Sequence, residues 1–121
     1  MPRPTFYEFF CGGGMVRAGL GAGWRCCFAN DIDAKKARAY AENWGAAGLR
    51  VVDIHALGAA DLPDRVALAW ASFPCQDLSL AGPGGGLAAK RSGAFWGFHA
   101  LMAALADEGR APKIIALEAV D

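Results

Sequence analysis

A cysteine that follows a predicted buried strand is the residue of this sequence best placed to act as a nucleophile. The segment SFPCQDLS (residues 72–79) comes after the apolar run Val66 to Ala71. A short apolar run bounded by proline predicts a strand, so we expect Cys75 on the loop at its carboxyl end, where open α/β sheets keep their chemistry. A thiolate there can attack a substrate. Taken alone, Cys75 is equally well interpreted as a small buried hydrophobic residue.

A glycine-rich loop near the N-terminus has the composition of a ligand-binding turn. The segment FFCGGG (residues 9–14) ends a predicted strand, Thr5 to Phe10, and precedes a predicted short helix, Met15 to Ala22. Glycines let the backbone approach a ligand closely, and the start of a helix offers free N–H groups. Arg17 occupies the place of the last glycine in a G-x-G-x-x-G motif, which disfavours a dinucleotide site.

Two acidic residues follow the second predicted strand. Asp31 comes after the predicted strand Arg25 to Asn30, about twenty residues beyond the glycines, where a carboxylate accepts hydrogen bonds from ribose hydroxyls. We assign Asp31 to a ligand and Asp33 to the N-cap of a helix over Ala34 to Asn43.

The third and fifth predicted strands also end at carboxylates. Asp53 and Ile54 follow the strand Gly48 to Val52, where Asp53 can accept a hydrogen bond from an adenine amine and Ile54 can pack on the ring. A loop or capping aspartate is an equally good interpretation of Asp53. Glu118 stands at the end of the strand Lys113 to Leu117.

These groups need a scaffold of alternating strands and helices. The fourth predicted strand is Val66 to Ser72, and an amphipathic helix with a core-facing apolar side is predicted over Ala94 to Glu108. Leu80 to Ala89 contains four glycines and a proline, which predicts a loop able to close over a substrate. The alternation predicts an α/β fold with a parallel sheet, in which every proposed functional group lies at a strand's carboxyl end.

Length and composition indicate one globular domain. Of 121 residues, 55% are hydrophobic and 20% charged. No apolar run reaches about 18 residues and no signal-peptide core is present, so we expect a cytoplasmic protein. Four cysteines without C-x-x-C spacing predict a reduced compartment and no structural metal, with the adjacent Cys26 and Cys27 as packing residues. Twelve basic and twelve acidic residues predict a weak electrostatic hold on nucleic acid.

Three motifs together resemble a known family. The Pro-Cys-Gln centre at residues 74–76, the glycine-rich loop at 9–14 and the segment LEAV at 117–120 occur in the order seen in C5-cytosine methyltransferases. The chain resembles the first half of that family's catalytic domain. The resemblance implies a Rossmann-like methyltransferase fold over residues 1–121, truncated after about five strands, without the target-recognition region.

The resemblance also implies the cofactor, S-adenosyl-L-methionine, and the residues that hold it. Phe10, Gly12 and Gly14 would line the methionine part, and Asp31 would hold the ribose. Ile32 would pack on the adenine face, and Asp53 with Ile54 would hold its edge. The implied cofactor-binding residues are Phe10, Gly12, Gly14, Asp31, Ile32, Asp53, Ile54 and Pro74.

For the substrate, the resemblance implies a cytosine flipped out of DNA. Cys75 would add to C6 of the ring, and Glu118 would contact N3 and the exocyclic amine. Pro74, Gln76 and Ser79 are the implied substrate contacts. No residue stands out as the base that removes the C5 proton, and water is a reasonable candidate.

One departure from the family pattern leaves alternatives open. The family has Glu-Asn-Val in the fifth strand, whereas this chain has Ala119 in place of the asparagine. We therefore expect this chain to have little activity alone, whether it is a fragment or a half that a second chain completes. The alternatives are an RNA (tRNA) cytosine methyltransferase, a noncatalytic binding module on the same fold and, on the strand–helix pattern only, a nicotinamide-binding domain.

Overall fold

The computed structural model describes residues 2–74 and 93–120, which form a five-stranded, fully parallel sheet. The strands lie in the order β3-β2-β1-β4-β5. Their bounds are β1 Thr5–Phe9, β2 Arg25–Asp31, β3 Leu49–Val51, β4 Leu68–Pro74 and β5 Ile114–Val120. The helices are α1 Met15–Leu20, α2 Ala34–Trp44 and α3 Ala94–Asp107, with short 3-10 turns at Ile54–Ala56 and Ala59–Asp61. The predicted α/β fold with a parallel sheet is confirmed.

Strands β4 and β5 extend further than predicted. Glu118, a predicted catalytic residue, therefore lies within β5 and not after it. β4 and β5 pair residue by residue up to Pro74 opposite Val120, so β4 does not end at Ser72 and β5 does not end at Leu117. The prediction that Glu118 follows the end of its strand is therefore wrong, because Glu118 pairs with Ser72 inside the ladder. Burial of Phe73 in the core favours this longer pairing.

The other boundaries differ by one or two residues. α1 ends at Leu20, two residues earlier than predicted, because Gly21 adopts a positive φ of 79° and donates its N–H to the Arg17 carbonyl. α2 runs one residue beyond the predicted Asn43.

The larger core lies between the sheet and α3. Side chains of β1 and β4 alternate towards this helix, and edge-to-face rings connect the layers, with Phe9 and Phe98 centroids 5.2 Å apart. The predicted apolar side of the helix is confirmed. Its buried residues are Gly97, Phe98, Leu101, Met102 and Leu105. His99 is exposed on the same helix.

A smaller core lies between β2 and α2 on the opposite face of the sheet. Tyr40 is fully buried there against Cys11 and Ala29, with Cys26 at its edge, whereas Cys27 packs against the larger core. Burial raises the pKa of the Cys26 and Cys27 thiols, which keeps them protonated. Their predicted packing role is confirmed.

Residues 2–74 and 93–120 contain neither a candidate metal-ion cluster nor a candidate membrane-spanning helix. No group of three or more histidine, cysteine or acidic side chains is arranged to hold a metal ion. No helix there has both the length and the apolar character needed to cross a bilayer.

Arg110 anchors the connection between β3 and β4, which gives a stability prediction. Arg110 donates to the carbonyl groups of Leu62, Asp64 and Ala59 at 2.8 to 2.9 Å and pairs with Glu108 at 3.2 Å. We expect Arg110→Ala to lower the free energy of unfolding by about 2 to 3 kcal/mol, because three carbonyl groups lose a charged donor. Urea unfolding measures this.

The matched controls are Arg110→Lys and Arg38→Ala. Lysine keeps the charge but lacks the planar fork, so we expect it to recover only part of the loss. Arg38 is exposed on α2, and its replacement should change stability by no more than about 0.5 kcal/mol. An Arg110→Ala protein as stable as Arg38→Ala would contradict the anchoring role.

Candidate cofactor and active site

The glycine turn after β1 is built from left-handed residues. Phe10, Gly12 and Gly14 have φ values of 57°, 52° and 89°. The turn is closed by hydrogen bonds from the Cys11 N–H to the Asn30 carbonyl (2.9 Å) and from the Gly14 N–H to the Cys11 carbonyl (2.8 Å). A left-handed conformation is uncommon for a phenylalanine, and here it is accompanied by a ring contact that draws Phe10 onto β4.

That contact joins the glycine turn to the strand that leads to Cys75. The ring centroids of Phe10 and Phe73 lie 4.9 Å apart, and Phe73 also packs on Phe95 and Phe98 of α3. The predicted cofactor loop and nucleophile strand are therefore held together by aromatic packing at the carboxyl end of the sheet.

The end of α2 supports the glycine turn from the other side. The Trp44 indole N–H donates to the Gly13 carbonyl at 3.2 Å, and the Asn43 amide reaches the same oxygen at 3.4 Å. Gly14 lies directly under the indole, since a Cβ there would be 2.2 Å from Trp44 Nε1. Gly14 is thus required for packing against α2 as well as for its backbone conformation.

Arg17, which replaces the last glycine of a dinucleotide motif, belongs to the same support. Its guanidinium lies 4.9 Å from the Trp44 ring centroid and donates to the Tyr40 hydroxyl at 3.0 Å. Arg17 therefore contacts α2 through a cation–π interaction and a hydrogen bond.

Asp31 is buried at the end of β2 and already has two backbone partners. Its Oδ2 accepts from the Gly12 N–H at 2.8 Å and its Oδ1 from the Asp33 N–H at 2.9 Å. Each carboxylate oxygen keeps a second lone pair, so these bonds leave room for ribose hydroxyls. Asp33 accepts from the Lys35 and Lys36 N–H groups, which confirms its predicted role as the cap of α2.

Asp53 begins the 3-10 turn after β3. Its Oδ1 accepts from the His55 N–H at 2.8 Å, so the capping interpretation of Asp53 is correct. The carboxylate is also exposed and faces a cleft, which leaves the predicted adenine contact open as a second role.

The cleft brings four of the predicted cofactor residues together. It has a volume of about 260 Å³ and includes Phe10, Ile32, Asp53 and Ile54 in its lining. Gly12, Gly14 and Asp31 belong to the glycine turn and its support and do not line the cleft. Five further lining residues were not predicted from the sequence, which are Asn30, Val52, His55, Gly93 and Ala94.

A glycine inside α3 shapes the wall of this cleft. A Cβ on the buried Gly97 would lie 2.6 Å from Ile54 Cγ2 and 3.1 Å from His55 Cε1. The missing side chain therefore admits both residues against the helix. An isolated glycine within a strong helical pattern is the sequence signal that points to such a close approach.

The predicted nucleophile and its neighbours are not covered by this geometry. Cys75, Gln76 and Ser79, and the loop Leu80 to Ala89, lie outside the described residues. Pro74 is the last residue of β4, directly before Cys75.

Glu118 lies on the face of the sheet opposite α3. Its exposed carboxylate accepts from the Ser72 hydroxyl at 3.4 Å, and that hydroxyl accepts from the Trp70 indole at 3.1 Å. Because Glu118 pairs with Ser72 in the ladder, it stands two residues before the pairing that ends at Pro74. This geometry places a carboxylate close to the strand end that precedes Cys75, the predicted nucleophile.

Comparisons with known proteins show the family and the fold of this chain. The family model described as C-5 cytosine-specific DNA methylase matches residues 4–121. The Type II methyltransferase M.HaeII of Haemophilus aegyptius is 33% identical over 114 residues, which are 93% of this chain and 33% of that protein. The chain thus spans about a third of the length of this curated relative.

Solved structures show the same fold. The S. pombe Dnmt2 methyltransferase matches 99% of this chain with a TM-score of 0.72 and 20% identity, and the chain covers 35% of it. A TehB-like SAM-dependent methyltransferase from Corynebacterium glutamicum matches 84% of this chain with a TM-score of 0.55 and 16% identity, and the match covers 50% of that protein. With the family model covering nearly all of its length, this chain belongs to the C-5 cytosine-specific DNA methylase family.

Proposed function

We propose that this chain carries the cofactor-binding and nucleophilic part of an enzyme that methylates C5 of cytosine in DNA, with S-adenosyl-L-methionine as the methyl donor. The observation that carries the proposal is the cleft at the carboxyl end of the sheet, where Phe10, Ile32, Asp53 and Ile54 meet. Family membership supports the class of reaction.

The side chains around the cleft fit the chemistry of the cofactor. Ile32 and Ile54 offer apolar surface to an adenine ring, and Asp53 offers an acceptor for its exocyclic amine. Asp31 is the acceptor for ribose hydroxyls. Gly12 and Gly14 form a turn whose backbone can approach the methionine part, with Pro74 at the neighbouring strand end.

In the proposed mechanism Cys75 makes C5 of cytosine nucleophilic. Its thiolate forms a bond to C6, which moves the electrons of the C5–C6 double bond to C5. When bound, S-adenosyl-L-methionine would supply the methyl group that C5 takes up, and the electrons of the broken methyl–sulfur bond would stay on the sulfur of S-adenosylhomocysteine. A base, for which water is the candidate, then removes the C5 proton, and the electrons of that bond restore the double bond as the Cys75 thiolate leaves.

Glu118 is proposed to stabilise the charge that enters the ring. A carboxyl group that shares a proton with N3 and accepts from the exocyclic amine would offset the negative charge as Cys75 adds. The 3.4 Å contact with Ser72 is long for a hydroxyl donor, so Glu118 can exchange it for the substrate at little cost. Gln76 and Ser79 remain proposed substrate contacts beside Pro74.

The exposed fifth strand supports a further proposal, that another part of the enzyme covers it. β5 is an edge strand, and Ile114, Ile115 and Leu117 are 57%, 46% and 51% exposed. Exposed apolar strand edges normally pair or are covered. We propose that the target-recognition and remaining catalytic parts of the enzyme cover β5. These parts would come from the same polypeptide or from a second chain, and the enzyme would act in the reducing cytoplasm.

Covalent trapping tests the proposed function. The chain is incubated with S-adenosyl-L-methionine and oligonucleotides that carry 5-fluorocytosine, as duplex DNA and as RNA, alone and with the remaining part of a family enzyme. Fluorine at C5 blocks the final elimination, so a working site stays bound to its substrate. We expect an adduct on DNA in denaturing gels, and none with Cys75→Ala.

Cys26→Ala is the matched control, because it removes a protonated packing thiol and should leave the adduct unchanged. An adduct only on RNA would replace DNA by RNA as the substrate. Failure of the complemented protein to form any Cys75-dependent adduct would favour the noncatalytic module. The observation that favours the noncatalytic module is the exposed Ala119, which offers no amide where the family has asparagine.

A further inference from the structure

Asn30 is a buried cleft residue that none of the motifs includes. It is 1% exposed, and its side-chain amide donates to the carbonyl groups of Arg50 and Val52, each at 2.9 Å. An amide NH₂ group has two hydrogens, so both are committed to the end of β3. Replacement of such a buried donor leaves two backbone acceptors without a partner.

The backbone of the same residue holds the glycine turn. The Asn30 carbonyl accepts from the Cys11 N–H at 2.9 Å, and the next side chain, Asp31, accepts from the Gly12 N–H at 2.8 Å. Asn30 is therefore bonded on one side to the turn after β1 and on the other side to the turn after β3.

The side-chain bonds act where the ladder between β2 and β3 is ending. β3 is an edge strand of three residues, and its pairing with β2 stops at Asp31 opposite Val51. Beyond that point the chain turns into the segment with Asp53 and Ile54. The Asn30 amide adds a bond to Val52, one residue past the last pair, so it ties down the start of this segment.

We propose that Asn30 is a positioning residue for the adenosyl part of the cofactor, because its amide holds Asp53 and Ile54 at a fixed position relative to Asp31. The inference rests on the proposed function, since it takes an adenosyl group as the occupant of the cleft. Asn30 itself need not touch the ligand. Its loss lets Asp53 and Ile54, the proposed adenine contacts, shift relative to Asp31, the proposed ribose contact.

Binding of S-adenosylhomocysteine by isothermal titration calorimetry tests the proposal. We expect Asn30→Leu, which has similar volume and no donor, to weaken binding about tenfold or more. The second ligand is S-inosylhomocysteine, in which a carbonyl replaces the exocyclic amine. The wild type should bind S-adenosylhomocysteine more tightly than S-inosylhomocysteine. In the variant we expect a smaller difference between the two affinities, because Asp53 is no longer held at the adenine edge.

Arg110→Ala is the matched control for stability, since it removes backbone anchors on a segment that does not line the cleft. Both variants are compared at conditions of equal folded fraction. Arg110→Ala should keep the affinity and the ligand preference. If the two variants bind alike, Asn30 is only a structural residue and the proposal is overturned. Asn30→Ala, which lacks the donors and adds no charge, replaces Asn30→Leu if the latter does not fold.

Hydrogen exchange separates this proposal from the proposed function. In the ligand-free protein we expect faster exchange of the Asp53, Ile54 and His55 amides in the Asn30 variant than in Arg110→Ala. A wild type that binds no adenosyl ligand would contradict the proposed function. The exchange rates would still decide whether Asn30 positions this segment, and unchanged rates would overturn that claim.

Discussion

Replacement of Gly14 by alanine is expected to destabilise the glycine turn more than any other single methyl group added to it. At a φ of 89° an alanine is strained by about 1 to 2 kcal/mol. Its Cβ would also lie 2.2 Å from Trp44 Nε1 and 2.6 Å from Trp44 Cδ1, so the indole must leave the Gly13 carbonyl. We expect a loss of about 2 to 4 kcal/mol in the free energy of unfolding, measured with urea.

Substitutions at the neighbouring glycines distinguish the strain of a positive φ from the contact with Trp44. Gly13→Ala has neither a positive φ nor any atom within 4 Å of the new Cβ, and its stability should stay within about 0.5 kcal/mol of the wild type. Gly12→Ala has the positive φ of 52° without the close contact, so it should lose only the conformational part. If all three substitutions cost the same, the contact with Trp44 does not hold the turn.

A second large effect is expected from the pH dependence of stability, through the buried carboxyl group of Glu8. Glu8 is 1% exposed and accepts from the Val16 and Arg17 N–H groups, while within the described residues its Oε1 has no hydrogen-bond partner. Burial raises the pKa of Glu8 to about 7 from an ordinary value of 4.5, against smaller opposing effects of these N–H groups and the Arg17 charge.

The raised pKa means that the folded protein holds a proton that the unfolded chain has already lost. Stability is therefore fully present below the unfolded pKa of 4.5 and falls as pH rises through about 7. The shift corresponds to about 3 kcal/mol. Urea unfolding between about pH 5 and pH 8 should show this decline. The carboxylates of Asp33 and Asp61, whose pKa values are lowered, act in the opposite direction at lower pH.

Glu8→Gln tests the assignment because it keeps the shape and an acceptor for the backbone N–H groups but cannot ionise. We expect the decline between about pH 5 and pH 8 to flatten, and the variant to be more stable than the wild type at the upper end. Glu42→Gln, at an exposed position on α2, should keep the wild-type slope. A Glu8→Gln protein with the wild-type slope would show that another group causes the decline.

The order of elements and four of the nine residues that line the cleft follow from the amino-acid sequence. Apolar runs, composition and turn residues identified the five strands and three α-helices in the described part of the chain, but not the two 3-10 turns, and the apolar spacing of α3 identified its buried side. Asp53 and Ile54 were placed at one edge of a parallel sheet because such strands all end on the same side, whereas Phe10 and Ile32 were implied by the family resemblance. Local pattern and covalent order carry this information.

Only the tertiary structure decided which groups touch. In the sequence Glu8 is a polar residue within a predicted strand, with no sign that it is buried. Its burial depends on α1, which covers it. The contact between Gly14 and Trp44 joins residues thirty positions apart, and the amide of Asn30 bonds to carbonyls about twenty residues away. Glu118 moved from a strand end into the ladder because β4 and β5 pair further than either segment indicates alone. These contacts depend on packing between elements distant in the chain, which local sequence pattern does not encode.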